Sequence, residues 1–259
     1  MTPAIKALFV DMDGVLWRDL QPIGNLKAIF AEIHDLGLNI AFITNNATRT
    51  KHHYVEILKG FSVTAQESQI YTSAYTTAKT LKARWPEGGS VYIIGDDGLH
   101  KALAESGFEP STEDALAVIV GLDHNIAYEK LAKATLLLHQ GVPFYGTNPD
   151  RTLPSPRGLL PCAGALIAAI ETASDIKAHI IGKPQPEMLL NALNDLELEP
   201  QEALMVGDRL ETDIAAGQAA GCQTALVLSG ASSKNDLEQW PTKPDFIGTD
   251  LANILEQIA

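Results

Sequence analysis

Ile5-Lys-Ala-Leu-Phe-Val-Asp11-Met-Asp13-Gly14 joins an apolar run to two carboxylates and a glycine within ten residues. The run Ile5–Val10 reads as a buried strand, and Asp11, Asp13 and Gly14 then stand at its exit. Two carboxylates this close repel each other unless a cation or a proton lies between them. A hard ion that keeps few protein ligands, such as Mg²⁺, fits that arrangement. Taken alone, the pair is equally compatible with an Asp-rich turn after a strand.

Working outward, Asn39–Thr44, His179–Gly182, Ala203–Val206 and Gln223–Leu228 read as further buried strands. Leu26, Ile29, Phe30, Ile33 and Leu36 recur at helical spacing before Gly37, and Met188, Leu189, Ala192, Leu193 and Leu196 repeat the stripe. Alternating strands and helices predict an α/β fold, a Rossmann-like doubly wound parallel sheet whose ligands bind at the carboxyl ends of its strands. Polar clusters stand at four expected ends: Asp11–Gly14, Thr44-Asn45-Asn46, Gly182-Lys183-Pro184 and Gly207-Asp208.

From Thr44 to Lys183 the chain runs about 140 residues, several times the roughly 30 to 50 of one crossover. The interval has strands of its own at Val91–Gly95, Ala117–Gly121 and Phe144–Gly146, with helices near Leu99–Ser106 and Tyr128–Gln140. A smaller α/β domain is therefore expected as an insert at residues 79–178, dividing a catalytic core into 1–78 and 179–259. An insert whose two ends leave the core near the polar clusters is expected to act as a lid, excluding water and bulky molecules.

Composition sets limits. Hydrophobic residues make up 46% and charged residues 20% of the 259, an ordinary globular balance. The net charge of −13 argues against nucleic acid or an anionic membrane as partner, since both demand clustered Lys and Arg. No apolar run approaches the roughly 20 residues of a membrane helix, and Met1-Thr-Pro3 leads into the strand without a signal-peptide pattern, so a cytoplasmic protein is expected. Cys162 and Cys222 are far apart and read as buried free thiols. The seven histidines show no ligand spacing except adjacent His52 and His53, which would point apart on a helix, and all read as surface residues. Trp17 reads as packing rather than a stacking surface for substrate.

An acidic protein that handles phosphate must supply positive charge locally. Asp208 could complete a metal site with Asp11 and Asp13, and Asp213 could orient a lysine or a metal-bound water; a helix cap is the plainer account of either one. Thr44, Asn45 and Asn46 offer a hydroxyl, amides and main-chain N–H groups for phosphate oxygens, though a capped turn explains them equally. Lys183 could neutralise a nucleophile and a transferring phosphoryl group. A lid would present loops of its own, Asn148 to Arg151 with Asp150 among them, to a leaving group, though a Pro-containing turn explains the segment equally.

Together these segments resemble the haloacid dehalogenase (HAD) superfamily of phosphohydrolases, whose four motifs align with Asp11-Met-Asp13-Gly14-Val, Thr44-Asn45-Asn46, Lys183-Pro184 and Gly207-Asp208 with Asp213. The insert, Gly121-Leu-Asp123 and Thr147-Asn-Pro-Asp150 resemble the subclass IIA cap of NagD-like and p-nitrophenyl phosphatase-like members. The resemblance implies a magnesium-dependent phosphatase of small metabolites. Asp11 would be nucleophile and metal ligand, and Asp13 acid, then base, with its main-chain carbonyl on the metal. Asp208 would be the further ligand and Asp213 its support, while Thr44 and Lys183 would hold phosphoryl oxygens in a loop shaped by Asn45 and Asn46. A homodimer formed through the insert is also what the family suggests. A phosphotransferase or mutase on the same fold, or a phospho-accepting signalling module, are the alternatives; the acid–base residue two positions after the nucleophile favours turnover.

Overall fold

The run Ala7–Val10 is buried along its whole length, as an apolar strand covered on both faces must be. The computed structural model describes residues 4–153, 155 and 157–259; the first three residues of the N-terminal stretch Met1–Val10 lie outside them. Two units emerge: residues 1–44, 52–71 and 183–259 form the first, and residues 45–51 and 72–182 the second.

In the first unit six strands lie in the order Phe246–Gly248, Gln223–Val227, Ala203–Gly207, Ala7–Val10, Asn39–Thr44, Ile70–Thr72. Ala7–Val10 pairs in parallel with both Ala203–Gly207 and Asn39–Thr44, and Gln223–Val227 continues the parallel pairing on either side of itself. Period-two alternation splits the side chains between two faces. Leu8, Val10, Leu204 and Val206 face Leu26, Ile29 and Ile33 of the helix Leu26–Asp35, together with Leu251, Ile254 and Leu255. Ala7, Phe9, Ala203 and Met205 face Met188, Leu189, Ala192 and Leu193 of the helix Glu187–Leu196. This is the α/β doubly wound architecture expected. Each such large side chain contributes about 1.5–3 kcal/mol by leaving water. The Asn25 side chain caps the first helix by accepting from the Ala28 N–H at 3.2 Å, and Gly37 ends it at a φ of 69°.

The second unit carries a five-stranded parallel sheet in the order His179–Ile180, Phe144–Gly146, Val118–Val120, Gly89–Ile94, Phe108–Pro110. The expected insert of residues 79–178 falls inside this unit, which also includes the helix Ser73–Arg84 from its start and the segment 45–51. That segment is tied in by the Gly98 N–H donating to the Thr48 carbonyl at 3.0 Å. A Cβ on Gly98 would stand 2.6 Å from Ala47 and Arg49 main-chain atoms, so only glycine allows the approach.

One expectation is corrected. His179–Gly182 was expected as a strand of the sheet that carries Asp11; instead His179–Ile180 pairs with Tyr145 and Gly146 in the second sheet. Lys183 therefore follows a loop rather than a strand end. Cys222 is buried as expected but Cys162 is only half-buried; neither is in a disulfide. No helix among the described residues is long and apolar enough to cross a membrane.

Candidate active site

In the first unit, the carboxyl ends of three neighbouring strands deliver Asp11, Thr44 and Asp208, and a turn of helix adds Asp213. Asp11 leaves its strand still bonded to it, its N–H donating to the Val206 carbonyl at 2.9 Å. The chain then turns tightly, with the Leu16 N–H on the Met12 carbonyl at 2.9 Å. Gly14 adopts a φ of 89°, and a Cβ there would collide with the Asp208 carboxylate, so both backbone and space require glycine. Ser229 Oγ donates to the Gly14 carbonyl at 2.7 Å. Asp13 is exposed, and the buried Trp17 indole donates Nε1–H to its Oδ1 at 2.9 Å.

Lys183 is the positive centre. It is 2% exposed, and its Nζ lies 2.6 Å from Asp11 Oδ1, 2.6 Å from Asp213 Oδ1 and 3.0 Å from the Ile43 carbonyl. Burial works against its charge, but the Asp11 and Asp213 carboxylates more than offset that and hold its pKa above the ordinary lysine value. The loop after Gly182 thus places an ammonium beside the residue that ends the first strand.

Asp213 sits in a five-residue π-helical turn, Leu210–Ile214, in which the Ile214 N–H reaches back to the Arg209 carbonyl at 3.2 Å. The wide turn points its carboxylate back at the strand end. Oδ1 meets Lys183, and Oδ2 accepts from the N–H groups of Asp208 and Arg209 at 3.2 and 3.0 Å. Asp208 is held in turn by the Ala231 N–H on its Oδ2 at 2.6 Å, and no Cβ could be added at Gly230 without striking it.

Oxygen atoms of Asp11, Asp208 and Asp213 come within 4.8 Å of one another, all three residues buried. Burial, then the neighbouring Asp213, raise the Asp208 carboxyl to about 7, against the opposing Ala231 N–H and the Arg209 and Lys183 charges. Burial raises Asp11 as well; Lys183 opposes the rise, and Asp213 and Asp208 add to it. Three carboxylates gather here around one ammonium, a donor set of hard oxygens short of positive charge. A divalent cation fits it. Because both oxygens of Asp213 are engaged, Asp11 and Asp208 are the better side-chain donors.

Asn45 and Asn46 belong to the second unit. The Asn45 carbonyl accepts from Ser73 Oγ at 2.5 Å and from Asn148 Nδ2 at 2.8 Å, and Asn45 Nδ2 donates to Asp150 Oδ2 at 3.2 Å. Asn46 Oδ1 accepts from the N–H and hydroxyl of Thr48 at 2.9 and 2.7 Å. Asn148 and Asp150 therefore hold the chain that follows Thr44, while Arg151 is exposed. The loop 229–232 and the Trp17 N–H were not anticipated. The loop could have been suspected, since Ser229-Gly-Ala-Ser-Ser233 follows another expected strand end.

A family model described as haloacid dehalogenase-like hydrolase matches residues 8–109, and one described as HAD-hydrolase-like matches residues 180–254. An acid sugar phosphatase of Staphylococcus aureus is 34% identical over 254 residues, 98% of each chain. The structure of NagD from E. coli K-12 superposes with a TM-score of 0.88 at 35% identity, covering 96% of this chain and 98% of that one. Glycerol phosphate phosphatase of Mycobacterium tuberculosis, solved in complex with magnesium, gives a TM-score of 0.90 at 31% identity, covering 98% of this chain and 78% of that one. The chain belongs to the haloacid dehalogenase superfamily, in its NagD-like subclass IIA, and is a phosphatase.

Proposed function

We propose that this phosphatase hydrolyses phosphate monoesters of small metabolites, sugar and polyol phosphates foremost, with Mg²⁺ and through an aspartyl-phosphate on Asp11. The observation that carries the reading is the 2.6 Å contact between Lys183 Nζ and Asp11 Oδ1, with Asp208 close by just past the end of the adjacent strand. An anionic ester repels a bare carboxylate, so the nucleophile must sit beside fixed positive charge. The names of the Staphylococcus and Mycobacterium relatives support the substrate class.

Asp11 attacks phosphorus while Asp13 gives a proton to the departing ester oxygen. Asp13 then takes a proton from the water that cleaves the aspartyl-phosphate, which splits one hard hydrolysis into two easier steps. Lys183 and the Thr44 hydroxyl hold phosphoryl oxygens, and Asn45 and Asn46 shape the loop beyond Thr44. The Asp11 carboxylate, the Asp13 main-chain carbonyl and Asp208 would hold Mg²⁺, with Asp213 in support. When bound, the ion supplies charge neutralisation of the phosphoryl group.

Asp11→Asn keeps the shape and removes the nucleophile. Turnover of a sugar phosphate should vanish, and acid quench of the parent enzyme with ³²P-labelled substrate should trap label that the variant lacks. Substantial turnover by a contaminant-free variant would refute the mechanism.

A further inference from the structure

The roles assigned so far leave Trp17 without chemistry. Its indole is 1% exposed and stacks on Phe61 with ring centroids 5.7 Å apart. Its main chain is fixed as well: the Trp17 carbonyl accepts from the Gly14 N–H at 2.8 Å, and the Trp17 N–H donates to the Met12 carbonyl at 3.3 Å. The ring therefore has a single orientation set by packing. In that orientation Nε1–H meets Asp13 Oδ1 at 2.9 Å. An exposed carboxylate does not need such a partner, because water would serve it. The bond constrains Asp13 rather than rescuing it.

We propose that Trp17 is a positioning residue for proton transfer by Asp13, an inference that rests on the acid–base reading of Asp13 above. An N–H on Oδ1 makes that oxygen an acceptor and assigns the transferable proton to Oδ2. It also fixes the rotation of the carboxyl group about its own bond. In the first half-reaction an Asp11 oxygen bonds to phosphorus, and the phosphorus–ester oxygen bond breaks with its electron pair on the ester oxygen. That oxygen takes the proton from Asp13 Oδ2 and leaves as an alcohol. In the second, a water oxygen bonds to phosphorus as its proton passes to Oδ2, and the bond from Asp11 to phosphorus breaks to release phosphate. The indole is a neutral donor throughout, and Oδ1 can accept from it in both the acid and the carboxylate forms.

General acid catalysis contributes about 10²–10⁴-fold, most where the leaving group is poor. p-Nitrophenolate departs without help, whereas an alkoxide needs the proton. Trp17→Phe keeps the aromatic ring on Phe61 and deletes the N–H. Its kcat/KM should fall about tenfold on an alkyl phosphate and less than about twofold on p-nitrophenyl phosphate.

The test compares parent, Trp17→Phe and Asp13→Asn on a series of aryl and alkyl phosphates graded by leaving-group acidity, using kcat/KM because it covers the steps up to alcohol departure. The expected plot against leaving-group pKa is steepest for Asp13→Asn, intermediate for Trp17→Phe and shallowest for the parent. A Trp17→Phe line parallel to the parent, lowered or not, would mean that the ring only packs, and would overturn the inference while leaving Asp13 as the acid. An Asp13→Asn line parallel to the parent would overturn the acid assignment and the inference with it. Should Trp17→Phe fail to fold, 3-benzothienylalanine at position 17 keeps the indole shape with sulfur in place of N–H, and the same slopes decide.

Discussion

Asp213→Ala removes a carboxylate that ties Lys183 to the turn at Gly207-Asp208. Truncating one partner of a buried ion pair costs about 3–5 kcal/mol. Lys183 retains Asp11 and the Ile43 carbonyl, which brings the loss down to about 2 kcal/mol. The buried Asp208 N–H loses its acceptor at a further cost of about 1–3 kcal/mol, while the half-buried Arg209 N–H can turn to water. Against this, Asp213 is one of the charges that raise Asp208 and Asp11, and its removal recovers about 1 kcal/mol. The net loss is about 3 kcal/mol. Asp213→Asn keeps an oxygen for the two N–H groups and loses only the charge; about 2 kcal/mol lost at Lys183 against the same 1 or so recovered leaves a net loss of about 1 kcal/mol. At about 2–4 °C per kcal/mol for a chain of this size, the alanine variant should melt about 6–12 °C lower. Calorimetry and urea unfolding followed by tryptophan fluorescence, both in chelator, give the comparison. An alanine variant within about 0.5 kcal/mol of the parent, the range of an ordinary surface change, would refute the reasoning. So would an asparagine variant less stable than the alanine one.

Three further outcomes are expected. Exhaustive chelation should abolish turnover and Mg²⁺ restore it, and Mg²⁺ should raise the melting temperature of the parent but not of Asp208→Asn; full activity after chelation would refute the metal reading. Burial pushes the Cys222 thiol up to about 12, so its contribution to stability is present below the ordinary thiol pKa and is lost as pH rises through about 12. At pH 8 only about one Cys222 in 10⁴ is a thiolate, and iodoacetamide should label it in urea but not in the native protein; rapid native labelling would contradict this. Finally, Asp150→Ala, which releases Asn45 Nδ2, should change the ratio of kcat/KM between small phosphometabolites and leave folded phosphoproteins poor substrates. Unchanged preferences would exclude Asp150 from substrate selection, and faster turnover of folded phosphoproteins would exclude a screening role for the insert.

The strands Ala7–Val10, Asn39–Thr44 and Ala203–Gly207 were legible because continuous apolar runs have one physical use in an α/β chain. His179–Gly182 looked the same and joined the other sheet, since a short apolar run carries no record of its partner; pairing is decided by contacts far away in the chain. The start of the second unit was hidden too. Ser73-Ala-Tyr-Thr-Thr-Ala78 has no strong apolar stripe, yet it forms a helix capped by Thr72, whose Oγ1 accepts from the Tyr75 N–H at 3.1 Å. In the site, Asp11, Lys183, Asp208 and Asp213 could be singled out because their side chains declare their charge. The Ala231 N–H that holds Asp208 could not, since every residue but proline carries one. Trp17 packs, as its place in the sequence implies, but the direction of its N–H depends on the turn at Gly14 rather than on its identity.

The order of strands in the first sheet also bears on how the chain leaves the ribosome. Ala7–Val10 lies between Asn39–Thr44 and Ala203–Gly207. One neighbour is synthesised at once and the other comes more than half the chain later. At about 5–20 residues per second, the interval is roughly 8 to 30 s. The strands of the second sheet are all delivered between Gly89 and Ile180, so that unit can form while the first sheet is still half built. Through that interval the nascent chain carries an apolar strand with one open edge, the kind of edge that recruits other chains. Its folded-state partner on that edge, Ala203–Gly207, is among the last strands to be made, so the half-made protein is exposed to wrong pairing for most of its synthesis.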